Sequence, residues 1–347
     1  MRDVFLRHVP LGLHDGHRVT DPVGQIRIGD TVRMKTGKLR LAVVEVILDG
    51  TIGTTRRYWM SFWRRNSIGR HEASSSRYGR RLDRPPRYHA LPKTIRRRGG
   101  KGAGAIVGFA NTVIRLYDCE KPRAVLVGWD TLDAPTYRHD ALETYQAGRE
   151  FDDELVEQLD VLPDFVSAFG FASAKGAGFE ADDFVASAVA REEKLGGTTL
   201  VASGDRDMFQ LVSEHTTILQ PVRGGGMRRI GPQEVMALYG VNPKQVPDFI
   251  ALRGDASDRI PGASGVGAIT AAGILRKYGS LDKALAAGRF DHEAEKLRLY
   301  RSIATMDKRA PLPPLRNQKP TWEKAANLAR ECQLNKLADR FTALAGN

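Results

Sequence analysis

Residues 178–207 read GFEADDFVASAVAREEKLGGTTLVASGDRD, and they contain a complete helix-to-strand unit. The first part has the apolar periodicity of a helix, which Gly196 and Gly197 stop. The residues TTLVA that follow form a short apolar run typical of a buried strand. An acid pair, Asp205 and Asp207, comes directly after that strand. A helix followed by a buried strand predicts an α/β fold with a parallel sheet.

The same alternation continues toward the N-terminus. IVGFANTVIRLYD (106–118) has apolar residues at helical spacing, and AVLVGWD (124–130) is a short buried strand that ends in Asp130. The carboxyl ends of parallel strands meet at one edge of a sheet. We therefore expect Asp130 to lie near Asp205 and Asp207.

Eight acidic residues in four clusters occupy strand ends, helix starts or the loop after a helix. They are Asp130; Glu180, Asp182 and Asp183; Asp205 and Asp207; and Asp255 and Asp258. So many negative charges at one sheet edge require divalent cations to neutralise them, which predicts a Mg²⁺-dependent phosphoryl-transfer site. Any one cluster alone has an ordinary explanation, as a stabiliser of a helix dipole or as a solvated loop.

Spacing within the clusters indicates which acids can act together. Glu180 and Asp183 are three residues apart and share a face if they lie on a helix, with Asp182 rotated by about 100°. Two of these three can then bind one ion. Asp205 and Asp207 are two apart after a strand end, which allows both to face one crevice.

A glycine-rich motif follows within ALRGDASDRIPGASGVGAITAAGILRKYGSLDKAL (251–285). The part IPGASGVGAITA has the pattern of a helix-hairpin-helix. Backbone N–H groups around Gly265 and Gly267, at the start of a helix beginning near Ala268, can bind a phosphate without reading the base. This predicts sequence-independent binding of a nucleic-acid backbone. The simpler alternative is a glycine-rich helix connection with no ligand.

The net charge of +12 belongs to one segment of the 347-residue chain. Residues 51–101 carry 15 Lys and Arg against 2 Asp and Glu, interleaved with Trp and Tyr. Such a segment is typical either of a nucleic-acid-binding arm or of a disordered linker that binds polyanions weakly.

Cysteine use and hydropathy indicate the compartment. The two cysteines, Cys119 and Cys332, form neither a disulfide framework nor a metal-ligand spacing. No apolar run approaches 18 residues, and the N-terminus lacks the apolar core of a signal peptide. We expect a soluble protein of a bacterial-type cytoplasm or nucleoid that does not bind membranes.

LVGWDTLDAPTYRH, GFEADD, SGDRDMFQL and GDASDRIPGASGVG together resemble the 5′→3′ exonuclease and flap endonuclease family, in that family's order from Tyr88 to Leu285. The resemblance implies a PIN-like parallel-sheet nuclease core, followed by an all-α helix-three-turn-helix DNA-binding element. It also implies two or more Mg²⁺ or Mn²⁺ ions that activate a water to attack a phosphodiester in line. The implied partner is DNA with 5′ ends, flaps or branches, and we expect a monomer with K⁺ at the hairpin.

The resemblance also assigns roles to individual residues. Asp130, Glu180, Asp182 and Asp183 match the first-metal carboxylates, and Asp205, Asp207, Asp255 and Asp258 match those of the second site. Arg138 and Arg149 match catalytic positions near the scissile phosphate, where an arginine offers a bidentate fork. The implied DNA contacts are Tyr137, Arg138, His139, Arg149, Gly265, Gly267 and Thr270. Without the resemblance, Arg138 and Arg149 read as solvated helix charges and His139 as a helix-start residue.

Two departures concern basic groups. The stretch Tyr145 to Arg149 reads Tyr-Gln-Ala-Gly-Arg, so Gln146 stands where the family has a lysine, and catalysis is expected to depend on Arg149. The hairpin lacks the family's lysine as well but keeps its glycines, Gly265 and Gly267. The mode of phosphate binding should therefore survive with lower affinity.

A third departure concerns the first strand. The family opens with a strand ending in Asp-Gly shortly before His-Ala-hydrophobic-Pro, here His89 to Pro92. The nearest match is VILDG, which ends at Asp49 and Gly50. Three interpretations follow: an insertion that leaves Asp49 as a metal ligand, an unrelated segment, or a hairpin of VVEVIL and TIGTT around an Asp-Gly turn.

These patterns predict four segments. Residues 1–87 form an atypical basic segment that is either disordered or unrelated to the fold, 88–235 the nuclease core, 236–292 the helix-hairpin-helix element, and 293–347 a helical tail packed on the core. The leading function is a metal-dependent 5′-nuclease acting in replication or repair. The alternatives are a DNA-binding module of the same fold impaired by a wrong first strand, and a nuclease directed at RNA.

Overall fold

A computed structural model describes the backbone of residues 40–46 and, with their side chains, residues 94–131, 135–146, 153–222 and 226–346. Six strands in these ranges form one sheet in the order β3-β2-β1-β4-β5-β6. They are β1 (Arg40–Val46), β2 (Ala124–Trp129), β3 (Ala172–Ala174), β4 (Thr198–Ala202), β5 (Thr216–Pro221) and β6 (Met227–Ile230). All neighbouring pairs are parallel except β5 and β6.

The helices of the α/β core lie between or beside these strands. They are α1 (Gly104–Glu120), α2 (Tyr137–Ala141), α3 (Asp153–Leu159), α4 (Leu162–Ala168) and α5 (Ala181–Lys194). The sequence pattern locates α1, β2, α5 and β4 within two residues at most boundaries, because each has a clear apolar period and glycine or proline punctuation.

The C-terminal helices form a separate all-α layer and a tail. They are α6 (Pro232–Tyr239), α7 (Val246–Arg253), α8 (Ala268–Tyr278), α9 (Leu281–Ala286), α10 (Ala294–Ala304), α11 (Trp322–Glu331) and α12 (Asn335–Ala345). Helix α8 begins at Ala268, the position that the hairpin pattern predicts.

Alternate strand residues face two hydrophobic clusters, one on each side of the sheet. Leu126 and Val201 pack with α5 and the C-terminal helices α7 to α10. Val127 and Leu200 pack with α1, α4 and the tail helices α11 and α12. Because both faces are covered, every residue of β2 and the last four residues of β4 are buried, as is typical of parallel strands.

The N-terminal boundary of the core differs from the sequence-based expectation. Strand β1 lies between β2 and β4 and is parallel to both, so the sheet includes residues that we assigned to a separate segment 1–87. Along Val43 and Val44 both strand edges are paired, which contradicts the hairpin of VVEVIL with TIGTT. The signal was weak because a long basic segment separates β1 from α1, the next α-helix that the structure describes.

Candidate active site

The carboxyl edge of the sheet brings the first acidic residues together. Asp130 follows the last residue of β2, and Asp205 follows β4 by three residues. The loop after β4 is fixed by its own polar groups: the Asp205 N–H donates to Ser203 Oγ at 2.9 Å, and the Asp207 N–H donates to Asp205 Oδ1 at 3.0 Å. These bonds turn the chain so that both acids stay at this edge.

Helix α5 approaches the same edge because β2 contains a glycine. A Cβ atom on Gly128 would lie 2.7 Å from the Ala181 carbonyl oxygen, so only glycine permits this approach without a shift. The Ala181 N–H then donates to Asp130 Oδ1 at 2.8 Å. The start of α5, which carries Asp182 and Asp183, is thereby attached to the end of β2.

Arg138 and Asp183 form a buried ion pair at the centre of the first cluster. Arg138 Nη1 and Nη2 donate to Asp183 Oδ2 and Oδ1 at 2.9 and 2.7 Å, and the two residues are 1% and 0% exposed. The Arg138 Nε–H donates to the Ile303 carbonyl at 3.0 Å. In this structure Asp183 occupies the fork that the resemblance assigns to a phosphate, and a catalytic or DNA-binding role for Arg138 remains a prediction.

Asp183 has a further structural role. Its Oδ2 accepts the Glu180 N–H at 3.1 Å and its Oδ1 accepts the Asp307 N–H at 2.8 Å. The spacing of Glu180 and Asp183 that suggested a shared ion is thus used in a capping box at the start of α5. A ligand role for Asp183 remains a prediction.

Glu180 and Asp182 lie around the same guanidinium. Glu180 accepts from Thr136 Oγ1 at 2.8 Å and from the Tyr145 hydroxyl at 3.0 Å, and Arg138 lies 3.3 Å away. Asp182 Oδ2 lies 3.6 Å from Arg138, while its Oδ1 is buried with no hydrogen-bond partner among the described residues. Burial raises the pKa of Asp182 well above its usual range, against the opposing effect of Arg138.

The second cluster gathers four carboxylates. Burial raises the pKa of Asp207 well above its usual range, and the negative charges of Asp205, Asp255 and Asp258 add to that effect. Asp255 and Ile260 exchange two backbone hydrogen bonds of 2.8 Å, which close the loop that carries Asp258. Arg253 Nη2 lies 3.2 Å from Asp255 Oδ2 and offsets part of this negative charge, and a bound cation would relieve the remaining repulsion.

A short hydrogen-bond path connects the two clusters through Gln146. Its Nε2 donates to the Tyr145 hydroxyl at 2.9 Å and to Asp258 Oδ1 at 3.2 Å. Since Tyr145 in turn donates to Glu180, first-cluster and second-cluster acids are linked by two neutral side chains. Gln146 stands where the resemblance expects a cation, and here it acts as a bridge.

The donor chemistry of both clusters fits a hard divalent cation. All candidate ligands are carboxylate oxygens, the donors that Mg²⁺ and Mn²⁺ prefer. Asp182 Oδ1, which is buried and unpartnered within the described ranges, is an acceptor that a cation would satisfy. Among the described residues, no group of three or more His, Cys, Asp or Glu side chains is arranged around a metal-ion position in this structure.

The glycine-rich hairpin lies exposed before α8. Gly265 has a φ of 71°, and a Cβ atom on either Gly265 or Gly267 would meet nothing within 4 Å. Thr270 is exposed on the first turn of α8, and Ile269 beside it is 88% exposed. The helix start is thus open to a ligand as large as a phosphodiester backbone.

Several residues that the sequence predicts as DNA contacts or metal ligands make other contacts or lie outside the residues that the structure describes. His139 Nδ1 accepts the Thr136 N–H at 3.2 Å at the start of α2, which is the helix-start role. The Tyr137 ring lies 4.7 Å from the Arg138 guanidinium. Asp49 and Arg149 fall outside the described residues, so their roles remain predictions.

Two family models match the chain in succession. The 5′-3′ exonuclease N-terminal resolvase-like domain matches residues 86–240, and the 5′-3′ exonuclease C-terminal SAM fold matches residues 241–325.

Residues 86–325 belong to the 5′-3′ exonuclease family.

Relatives of this exonuclease family agree with that assignment. DNA polymerase I of Mycobacterium bovis is 39% identical over 197 residues, which cover 56% of this chain and 22% of the relative. The chain thus matches less than a quarter of that protein's length.

In the part of the chain that the structure describes, no helix is long and apolar enough to span a bilayer.

Two solved structures share the fold. A T5 5′-exonuclease with bound zinc ions superposes with a TM-score of 0.54 at 16% identity, covering 88% of this chain and 97% of that one. The catalytic core of Rad2 in complex with DNA substrate gives 0.51 at 13% identity, covering 88% and 91%. The predicted fold class, a PIN-like parallel-sheet core followed by a helical element, is confirmed.

Sequence reasoning missed residues whose role depends on distant partners. Tyr145 and Gln146 connect Glu180 to Asp258, across 35 and 112 residues of sequence. Gln210, which follows β4, donates to the Ala304 carbonyl at the end of α10, and the N–H of Asp307, after α10, donates to Asp183. No local pattern marks such contacts, because each is created by tertiary packing.

The loop that carries Asp255 depends on Gly254, and its replacement is a direct test of the second cluster. Gly254 has a φ of 82°, and a Cβ there would lie 2.5 Å from the Pro261 carbonyl oxygen. We expect Gly254→Ala to lower the free energy of unfolding by roughly 2 to 4 kcal/mol, since backbone strain and a clash add. Urea unfolding followed by circular dichroism measures this change.

Gly196→Ala is the matched control for that substitution. Gly196 also has a positive φ, 73°, but a Cβ there meets nothing within 4 Å. We expect a loss of only about 1 kcal/mol, from backbone strain alone. Equal losses at the two positions would show that the contact with Pro261 does not constrain the Asp255 loop.

Proposed function

We propose that this chain is a divalent-metal-dependent 5′-nuclease that hydrolyses phosphodiester bonds in DNA with 5′ ends, flaps or branches. The observation that supports this most is the second cluster, in which the negative charges of Asp205, Asp255 and Asp258 act on the buried Asp207 and raise its pKa. Together with the membership in the 5′-3′ exonuclease family, a cluster of this charge favours catalysis over simple DNA binding.

Two sets of residues would hold the cations. Asp130, Glu180 and Asp182 form the first set, and Asp205, Asp207, Asp255 and Asp258 form the second. When bound, divalent cations lower the pKa of an attacking water and neutralise charge on the phosphodiester. We propose Mg²⁺ or Mn²⁺ in at least two positions, because two sets of carboxylates are present and related nucleases of this fold have been solved with divalent metal ions.

The other residues of the site position these carboxylates. Arg138 holds Asp183 and lies beside Glu180 and Asp182, which keeps three negative charges close together without an ion. Tyr145 and Gln146 fix Glu180 relative to Asp258. Since the water is the nucleophile, no side chain has to form a covalent bond.

The hairpin would bind the DNA backbone. Backbone N–H groups near Gly265 and Gly267 at the start of α8 suit a phosphate and carry no base preference. We propose K⁺ as a further ligand of this hairpin. Tyr137, His139, Thr270 and Arg149 remain proposed DNA contacts, and a monomer acting in replication or repair is the proposed context.

Cleavage of a 5′-labelled flap DNA tests the function. We expect purified protein to cleave in Mg²⁺ and not in EDTA, and Asp205→Ala to lose cleavage while still binding DNA. An additional Asp49→Ala variant tests whether the residue after the first strand is a metal ligand. Lost cleavage would place Asp49 among the ligands, and retained cleavage would show that Asp49 is dispensable. DNA binding without cleavage by the wild-type protein would favour the impaired binding module, and cleavage of only an RNA flap would favour an RNA nuclease.

A further inference from the structure

The chain between α10 and the tail contacts both acidic clusters. We call residues 303–307 the C-terminal strap; they comprise the last two residues of α10 and the three that follow. Helix α10 starts near the hairpin, where Glu293, immediately before it, accepts the Ser264 N–H at 3.2 Å. One short helix therefore extends from the proposed DNA-binding hairpin to the proposed metal site.

The strap binds the first cluster through backbone groups. The Ile303 carbonyl accepts from Arg138 Nε at 3.0 Å, and the Asp307 N–H donates to Asp183 Oδ1 at 2.8 Å. Both partners are almost fully buried, so these bonds are shielded from water. The strap thus holds each member of the buried ion pair separately.

Gln210 binds the strap to the second cluster. Its Nε2 donates to the Ala304 carbonyl at 2.9 Å and to the Asp207 carbonyl at 3.0 Å, while its Oε1 accepts the Met306 N–H at 3.1 Å. Both amide hydrogens and the amide oxygen are therefore used. The backbone that carries Asp207 is attached to the strap by this one side chain.

We propose that Gln210 is a positioning residue for the nuclease reaction, which fixes Asp207 relative to Asp183 through the C-terminal strap. This rests on the proposed function. The carboxylates of the second cluster repel one another, and the strap adds to the bonds within the β4 loop a further attachment that holds Asp207 before a cation binds. A glutamine supplies that attachment without adding a charge that would compete with the cation.

The consequence is that the C-terminal strap contributes to metal binding although it supplies only backbone groups at this contact. Partners that orient ligands typically change metal affinity or activity by about 10- to 100-fold when they are removed. We expect Gln210→Ala to raise the Mg²⁺ concentration for half-maximal flap cleavage by about 10- to 100-fold. At saturating Mg²⁺, DNA affinity should be unchanged, because Gln210 is not part of the hairpin.

A second readout does not depend on cleavage. Mg²⁺ that binds the folded chain raises its Tm once its concentration exceeds the dissociation constant, so the Mg²⁺ concentration that produces a given rise above the Tm in EDTA reports metal binding. For Gln210→Ala this concentration should increase by the same factor as in the cleavage assay, with a Tm in EDTA within about 4 °C of wild type.

Two further variants define the cause. Gln210→Glu keeps an acceptor for the Met306 N–H but loses both donors and adds a negative charge, so it should require at least as much Mg²⁺ as Gln210→Ala. Gln233→Ala, at an exposed position on α6, should leave both titrations unchanged. A Gln210→Ala protein with wild-type Mg²⁺ dependence in both assays, whatever its Tm, would overturn the proposal.

Failure of the proposed function would look different. If wild-type protein shows the Mg²⁺-dependent rise in Tm but no cleavage, the nuclease proposal fails while the thermal titration of Gln210→Ala still decides the positioning role. If wild-type protein shows neither, both proposals are wrong.

Discussion

Asp207→Asn is expected to reduce Mg²⁺-dependent cleavage of flap DNA by at least about a thousandfold, or about 4 kcal/mol of transition-state stabilisation. The change keeps the shape of the side chain and removes one of the negative charges that would hold a cation. It should also raise the Tm in EDTA by roughly 2 to 4 °C, because about 1 kcal/mol of repulsion with Asp205, Asp255 and Asp258 disappears.

The combination of lower activity and higher stability is the distinctive part of this prediction. A residue that serves only the fold would lose both, whereas a destabilised functional group loses activity and gains stability. Asp207→Asn should also show a smaller rise in Tm on addition of Mg²⁺ than wild type. Asp339→Asn, an exposed acid on α12, serves as the control and should leave activity and Tm unchanged. A variant that retains cleavage would remove Asp207 from the proposed ligand set.

Local sequence accounts for most of the fold and for the composition of the site. The apolar periods of α1, β2, α5 and β4 predict these elements, because each is decided by neighbouring residues and by punctuating glycines. The rule that parallel strands end at one edge predicts that the acids after β2 and β4 share an edge of the sheet, and the parallel pairing of both strands with β1 agrees with it.

The remaining features depend on contacts that sequence spacing does not encode. Strand β1 has an apolar run, but the basic segment after it separates it from the motifs that would identify it. Arg138 could equally have faced solvent, a phosphate or a carboxylate, and only packing against Asp183 and Ile303 decides between these. Packing likewise decides that Arg138 binds Asp183, and not Asp182, with two hydrogen bonds.

Arg138→Leu is expected to destabilise the protein by about 3 to 5 kcal/mol, the cost of leaving a buried carboxylate without its partner. Asp183 is fully buried and Arg138 is its only side-chain donor in the described residues, with Glu180 and Asp182 close by. Glu180, Asp182 and Asp183 would then lose the Arg138 guanidinium that lies beside all three. Urea unfolding in EDTA measures the loss, and Arg298→Leu, which breaks an exposed ion pair with Glu295, should cost no more than about 1 kcal/mol.

A double substitution separates charge from packing in the same pair. Adding Asp183→Asn to Arg138→Leu removes the unpaired charge but keeps an acceptor for only one of the Glu180 and Asp307 N–H groups, so only part of the stability should return. Arg138→Lys keeps a charge but cannot bind Asp183 with two parallel hydrogen bonds and also reach the Ile303 carbonyl, so it should fall between wild type and Arg138→Leu. If the double variant is as unstable as the single one, the cost comes from lost packing and from the broken contact with the C-terminal strap, and the buried charge of Asp183 is not its cause.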